Sequence, residues 1–231
     1  MTMTATQGRI ALDRTRQASP QIVEHLRERI LALELEPGTV LSRGALQKQF
    51  GLSQTPVRDA LLKLEEEGLV TVYPQYATLV SRIDLDKARQ AHFMRRAVET
   101  DIVRLLAERG SAEVAADLAR ANEVVAAEAR AQNYSAFLQA DREFHYRLFR
   151  HADLLGIWPI LRANSGHLDR LRRLNLPNVG MDRVVEQHGA IVAAVAAGDP
   201  EAAGRALRAH LANTLAMLDA IAARYPEFIQ T

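Results

Sequence analysis

Residues 53–70, read as SQTPVRDALLKLEEEGLV, constrain this chain more than any other stretch. Ser53 or Thr55 can cap a helix, and Pro56 suits a first helical position. Val57, Ala60, Leu61 and Leu64 then recur at helical spacing, which commits one face to a core. Gly68 stops the helix, and Leu69–Tyr73 reads as a strand. Upstream lie a short helical segment, Gly44–Phe50, and a turn at Gly51-Leu52-Ser53. Downstream, Pro74-Gln75-Tyr76 forms a tip before a returning strand, Ala77–Ser81. Two short helices across a glycine turn, followed by a hairpin, make the pattern of a winged helix-turn-helix. The second helix of such a unit lies in the DNA major groove with its N-terminal residues at the base edges. Periodicity alone fits an ordinary helical packing unit equally well.

Charge tempers that reading. Residues 17–82 carry seven basic side chains against eight acidic ones. Phosphate contacts need a local positive face rather than a net charge. Arg43 and Arg58 fall around the expected recognition helix, whereas the acids gather in the first helix and at the far end of the recognition helix. Affinity per monomer is therefore modest, which favours a homodimer on a double-stranded operator. Cysteine is absent, which excludes disulfides and thiolate metal sites. No apolar run reaches the ~20 residues of a membrane span, and the N-terminus lacks a secretory core. A cytoplasmic protein with no membrane partner is expected.

The chain divides into three parts. Residues 1–18 read as a flexible arm, with Arg9, Arg14 and Arg16 its main feature. Residues 19–82 hold the winged helix-turn-helix, opened by a helix from Ser19-Pro20 to Glu36-Pro37-Gly38. Residues 83–231 show no strand signal. Helical stretches are expected over about 85–108, 112–131, 134–151, 154–173, 182–197 and 200–224, with breaks at Gly110-Ser111, Asn133, Leu174–Gly180 and Gly198-Asp199-Pro200. The fold class is mainly α, a winged head followed by an all-α bundle.

Chemistry in the bundle concentrates in Asp141-Arg142-Glu143-Phe144-His145, whose Asp141 and His145 share a helix face at i, i+4. His188 lies ten residues before Gly198 and His210 twelve after it, at similar height on an antiparallel pair. One carboxylate and three imidazoles can thus converge as a ligand set for a divalent ion. The same spacing also suits a surface Asp–His pair and ordinary packing histidines.

Residues 20–80 resemble the winged-helix domain of GntR-superfamily regulators. The residues that carry the resemblance include Pro37-Gly38, Leu41, Leu46, Gly51, Ser53, Thr55-Pro56-Val57-Arg58, Ala60-Leu61, Leu64 and Gly68-Leu69-Val70. Where that family usually has arginines this chain has Gln54 and Gly44, and Ala77 replaces the usual wing glycine. The resemblance implies DNA contacts from Arg43, Ser53, Gln54, Thr55, Arg58, Gln75 and Tyr76, with Gln54 able to read adenine. Residues 88–215 are similar to the FCD effector domain of the FadR-type subfamily. That similarity rests on Arg96-Ala97-Val98-Glu99, Asp141–His145, His188, Gly198-Asp199, Ala202-Ala203 and His210-Leu211. It implies a divalent metal, Zn²⁺ first and Ni²⁺ or Mn²⁺ as alternatives, on Asp141, His145, His188 and His210. It also implies a small organic acid beside the metal, with Arg96 as its clamp. The other reading of Arg96 is an ion pair with Glu99. Arg172 and Asn213 join the effector-binding set by helix phase, while His25, His92, His151 and His167 take no role.

These expectations describe a transcription regulator, a repressor before an activator, whose operator binding answers to a metabolite. A metal-dependent enzyme fused to a DNA-binding head is the alternative, since His₃Asp with an open position activates water. No separate nucleophile or base stands out beside Glu143. An architectural DNA protein with a structural metal is disfavoured by the lack of a broad basic surface. Metal occupancy is expected to fall below about pH 6, near the unperturbed imidazole value.

Overall fold

The computed structural model describes residues 10–73 and 77–230. It divides into two compact units, one formed by Met1–Leu85 with Ala222–Thr231 and the other by Asp86–Ile221.

The first unit is the winged head. Helix α1 (Ala18–Leu31) buries Ile22, Val23, Leu26 and Ile30 and packs on α3. Helix α2 (Arg43–Phe50) starts at Ser42, whose hydroxyl accepts from the Ala45 N–H, and stops at Gly51 with φ 65°. A left-handed residue there turns the chain at no Cβ cost. Helix α3 (Gln54–Glu66) buries Val57, Ala60, Leu61 and Leu64, as its spacing predicts. Ser53 takes the capping position, but its side chain makes no capping bond. Pro56 is thus third in the helix, not first, still within the turn whose N–H groups have no intrahelical acceptor. Strands β1 (Val70–Tyr73) and β2 (Ala77–Val80) pair antiparallel, with Val70 opposite Val80 and Tyr73 opposite Ala77. The other edge of β2 receives Val40, and the Leu41 N–H donates to Thr78 O at 2.8 Å.

Two segments of the head depart from the sequence reading. Residues 10–17, expected within a flexible arm, lie against the head. Ile10 and Leu12 pack on its core, and Ile10 N donates to Gln49 O. The buried Gln21 amide holds this segment, donating to the carbonyls of Asp13, Arg16 and Gln17 while accepting from Asp13 N–H. Far along the chain, Ile229 forms a parallel bridge to Ile83. Ile83 N–H donates to Phe228 O at 2.7 Å, and Gln230 N–H to Ile83 O at 2.9 Å.

The second unit is a helical bundle. Its helices are α4 (Leu85–Arg109), α5 (Ala112–Arg130), α6 (Tyr134–His151), α7 (Trp158–Asn164), α8 (Gly166–Val179), α9 (Met181–Ala196), α10 (Pro200–Ala216) and α11 (Leu218–Arg224), the last running into the first unit. Helix α9 packs against α5 and α10, and α5 against α6, around Phe137, Phe144, Leu148, Phe149, Ile191, Val195 and Leu207. The single helix expected over 154–173 is broken at Ser165, whose hydroxyl donates back to the Leu161 or Arg162 carbonyl. A local hydroxyl bond of this kind competes with the helical ladder. The break expected over Leu174–Gly180 shrinks to Gly180, with Pro177 inside α8. Pro177 falls in the last turn of α8, where it removes one i→i−4 bond but has little helix left to interrupt before Gly180. Among the described residues no helix is long and apolar enough to cross a membrane.

Candidate functional site

Asp141 and His145 project from α6, His188 from α9 and His210 from α10, and one ligand atom from each lies within 4.8 Å of the others. All four are buried. Gly198, at φ 67°, turns α9 back into α10 and so brings the last two imidazoles to one level. His145 Nε2 and His210 Nε2 are 3.1 Å apart, and His188 Nε2 is 3.5 Å from Asp141 Oδ1. Two nitrogens each about 2.1 Å from one ion, at tetrahedral or octahedral angles, are roughly 3.0–3.4 Å apart. The spacing fits a shared ion and equally an N–H···N hydrogen bond between the two rings.

Buried groups left without hydrogen bonds point the same way. Asp141 Oδ1 and both His188 ring nitrogens have no hydrogen-bond partner, although buried polar atoms nearly always find one. Asp141 Oδ2 accepts from the Arg172 guanidinium at 2.6 Å, which leaves Oδ1 as its oxygen toward the imidazoles. The His188 ring is fixed by Phe144, stacked at 3.9 Å and 8°. His145 is fixed by Glu99 on α4, whose Oε2 lies 2.7 Å from Nδ1. The pair is close but not aligned as a hydrogen bond; a carboxylate there favours the proton on Nδ1 and Nε2 as the ligand atom.

Protonation states fit the same use. Burial would raise the Asp141 carboxyl, but Arg172 and the three imidazoles hold it well below the usual range. Burial likewise opposes the charge on Glu99; the Arg95 guanidinium and His145 overcome it and bring the value down to about 2. Burial pushes His188 down to about 3, against the pull of Asp141, and pushes His210 well below 6.5. Both imidazoles are neutral at pH 7, the state that binds metal.

His210 and Arg172 also line a small cleft, open in part to solvent, with His92, Arg95, Asn175 and Asn213 supplying its other polar groups. Of the expected effector residues, Arg172 and Asn213 are in this wall, and the Asn213 amide donates to Gln187 Oε1. Arg96 is not. It is exposed, its guanidinium 5.8 Å from the Phe93 ring, while Arg95 faces the cavity and binds Glu99 at 2.6 Å. One position along a helix turns a side chain by about 100°, so Arg95 rather than Arg96 pairs with Glu99 and lines the cavity. His92, given no role in the sequence, is also in the wall. Glu99, Arg95, His92 and Asn175 are what sequence reasoning missed. An Arg–Glu pair at i, i+4 was the one available signal, and the i, i+3 alternative with Arg96 masked it.

In the head, Ser53, Gln54, Thr55 and Arg58 lie exposed along the first turns of α3. The Arg58 side chain is 61% exposed and pairs with Asp59 at 3.6 Å. Arg43 is the first residue of α2 and is half-buried. Gln75 and Tyr76 lie outside the described residues.

Comparison with known proteins supplies the context. Residues 18–80 match the family model described as bacterial regulatory proteins, gntR family, and residues 90–213 match the FCD domain. The chain is 37% identical to an HTH-type transcriptional regulator in an unstable DNA locus of Streptomyces ambofaciens, over 89% of this chain and 87% of that protein. It is 28% identical to the HTH-type transcriptional repressor RspR of Escherichia coli K12, over 87% and 88%. Among solved structures, E. coli McbR/YncC shares the fold at a TM-score of 0.76 and 19% identity, covering 91% of this chain and 99% of that one.

Proposed function

The chain belongs to the bacterial gntR family of regulatory proteins and carries an FCD domain behind its winged helix, and from that premise we propose a metal-loaded, metabolite-responsive repressor. It is a transcriptional regulator, and the family to which it belongs is one of regulators rather than enzymes. The finer reading concerns what loads it and what releases it.

Asp141, His145, His188 and His210 hold one divalent cation, Zn²⁺ or on the same ligands Ni²⁺ or Mn²⁺. When bound, the ion supplies positive charge and coordination positions open to an oxygen donor. Glu99 keeps the His145 lone pair on Nε2, and Arg172 holds Asp141 in place from its other oxygen. Arg95 and Arg172 line the cavity and donate hydrogen bonds only, which suits a small carboxylate effector. A ligand that prefers one arrangement of these helices shifts the population toward it, and by linkage changes operator affinity to the same extent. Arg43, Ser53, Gln54, Thr55 and Arg58 contact the operator, with Gln75 and Tyr76 at the wing. The protein works in the cytoplasm as a homodimer, because a head of balanced charge gains too little from one half-site.

The observation that carries this reading is the convergence of four buried ligand atoms within 4.8 Å, each of the four residues keeping a buried atom with no hydrogen bond. The test is elemental analysis of protein purified without chelator, paired with a mobility-shift titration on the DNA upstream of its own gene. About one equivalent of metal per chain, and release of operator by a short organic acid in its presence, are expected. Metal below about a tenth of an equivalent, with no thermal shift on adding Zn²⁺, Ni²⁺ or Mn²⁺, refutes the metal reading. Light scattering checks the dimer.

A further inference from the structure

Helix α4 has two unlike sides. Ala88, His92, Glu99, Ile102, Val103 and Leu106 are buried. On another side Asp86, Gln90, Phe93, Ala97 and Asp101 are exposed and Arg104 half-buried, at spacings of three and four. That spacing makes a stripe by which one helix can face another. Near its middle stands Phe93, at 63% the most exposed large apolar side chain among the described residues. The Arg96 guanidinium lies 5.8 Å from its ring. One exposed aromatic is no site by itself. The charges on either side of it decide.

Along the stripe and its edge the order is Asp86, Arg89, Phe93, Ala97, Asp101, Arg104. Reversed about the point midway between Phe93 and Ala97, this series sets Arg104 opposite Asp86 and Asp101 opposite Arg89. The same reversal sets the small Ala97 opposite the large Phe93. In a two-fold dimer residue i meets j while j meets i, so each match occurs twice. A parallel pairing would instead set every charge against its own kind, which is unfavourable. Within one chain Arg89 binds Asp86 at 2.8 Å and Arg104 binds Glu201 at 2.6 Å. Such exposed pairs contribute little by themselves, so sharing them with a second chain costs little. The face is complementary to itself.

We propose that two copies of this chain pair through the exposed side of α4, antiparallel about a two-fold axis between Phe93 and Ala97. Each Phe93 packs on the partner's Ala97, and each Arg89 pairs with the partner's Asp101. This rests on the homodimer argued above and names its surface. His92, Arg95 and Glu99 lie on the opposite side of the same helix, two of them lining the cleft and the third against His145. The helix that joins the copies is thus also the one that braces the four-ligand cluster.

The chain has no cysteine, so one introduced thiol reports on one place. In the full-length protein, Ala97→Cys should be joined into a covalent dimer by a short bis-maleimide. Ala116→Cys, exposed on α5, should not. Sedimentation velocity should show the dimer Kd raised about tenfold or more by Arg89→Asp and by Asp101→Arg, each of which brings like charges together. The two changes combined should return it to within about threefold of the parent. Melting temperature checks the fold of each variant, and where a charge variant does not fold the crosslink alone decides. A dimer with unchanged Kd in both single variants overturns the proposal and leaves the homodimer intact. So do single losses that the double variant does not reverse, or crosslinking at Ala116 in preference to Ala97. A parent that stays monomeric at micromolar concentration overturns the homodimer as well, and gives this face of α4 to another occupant.

Discussion

Glu99→Gln tests the metal centre without touching a ligand. Glu99 is 1% exposed, and its two oxygens meet Arg95 Nε at 2.6 Å and His145 Nδ1 at 2.7 Å. Its carboxyl is held at about 2 against an ordinary 4.5, a difference worth about 3 kcal/mol in favour of the charged, folded state. A depressed carboxylate stabilises the fold above its unfolded value and loses that contribution as pH falls toward the folded one. Glutamine cannot ionise, so the full amount is lost at pH 7 and nothing more is lost at pH 2. In chelator, the bundle transition should fall by roughly 6–12 °C at neutral pH. The second effect is on the metal. Without the anion on Nδ1, the His145 proton is free to move to Nε2 and block the ligand lone pair. Loss of such an outer carboxylate lowers metal affinity about 10- to 100-fold. A chelator competition with Zn²⁺ reads this directly, and Glu99→Asp, which keeps the charge, should recover part of both losses. Zn²⁺ affinity within about threefold of the parent, with melting in chelator unchanged, would refute the argument that Glu99 sets the His145 tautomer.

Three further outcomes follow from the same geometry. Arg58→Ala should weaken specific operator binding by about 1–3 kcal/mol per half-site while the head stays folded, which a mobility-shift titration at fixed salt checks. His188→Ala should remove the thermal shift that Zn²⁺ gives the parent and blunt acid-induced release of DNA, with circular dichroism showing the helices retained. In chelator, stability should decline from about pH 6.5 downward: burial holds His188 at about 3, so the unfolded chain binds a proton across that interval that the folded chain does not. The loss is about 1.4 kcal/mol per pH unit from His188, and a similar contribution from His210 steepens it, so a melting temperature flat from pH 6.5 to 5 would contradict it.

What was legible in the sequence was whatever helical period or turn chemistry controls. The apolar face of α3, Gly51 and Gly68 as stops, and the level of His188 with His210 across Gly198 are of this kind, because each depends on spacing within one hairpin. Direction around a helix was not legible where both neighbours are charged. Arg95 and Arg96 are equivalent to a pattern, and only packing of α4 decides which one meets Glu99. Burial was not legible either. An imidazole titrating near 6.5 and one pushed to about 3 have the same letter, and the difference lies in the complete burial of His188. The helix break came at Ser165, within the stretch read as one helix, and not at Pro177, which lies in the last turn of α8.

The bridge from Ile229 to Ile83 makes the DNA-binding unit discontinuous in sequence, with the whole effector bundle inserted between its two pieces. During synthesis, residues 10–83 emerge long before residues 225–230, so the head waits with the Ile83 N–H and C=O unpaired while every ligand helix is made. Loop closure over such a span costs only logarithmically more than over a short one, so the delay is one of timing rather than of stability. A head produced alone as residues 1–85 would lack those two backbone bonds and leave Ile83, fully buried in the complete chain, open to water.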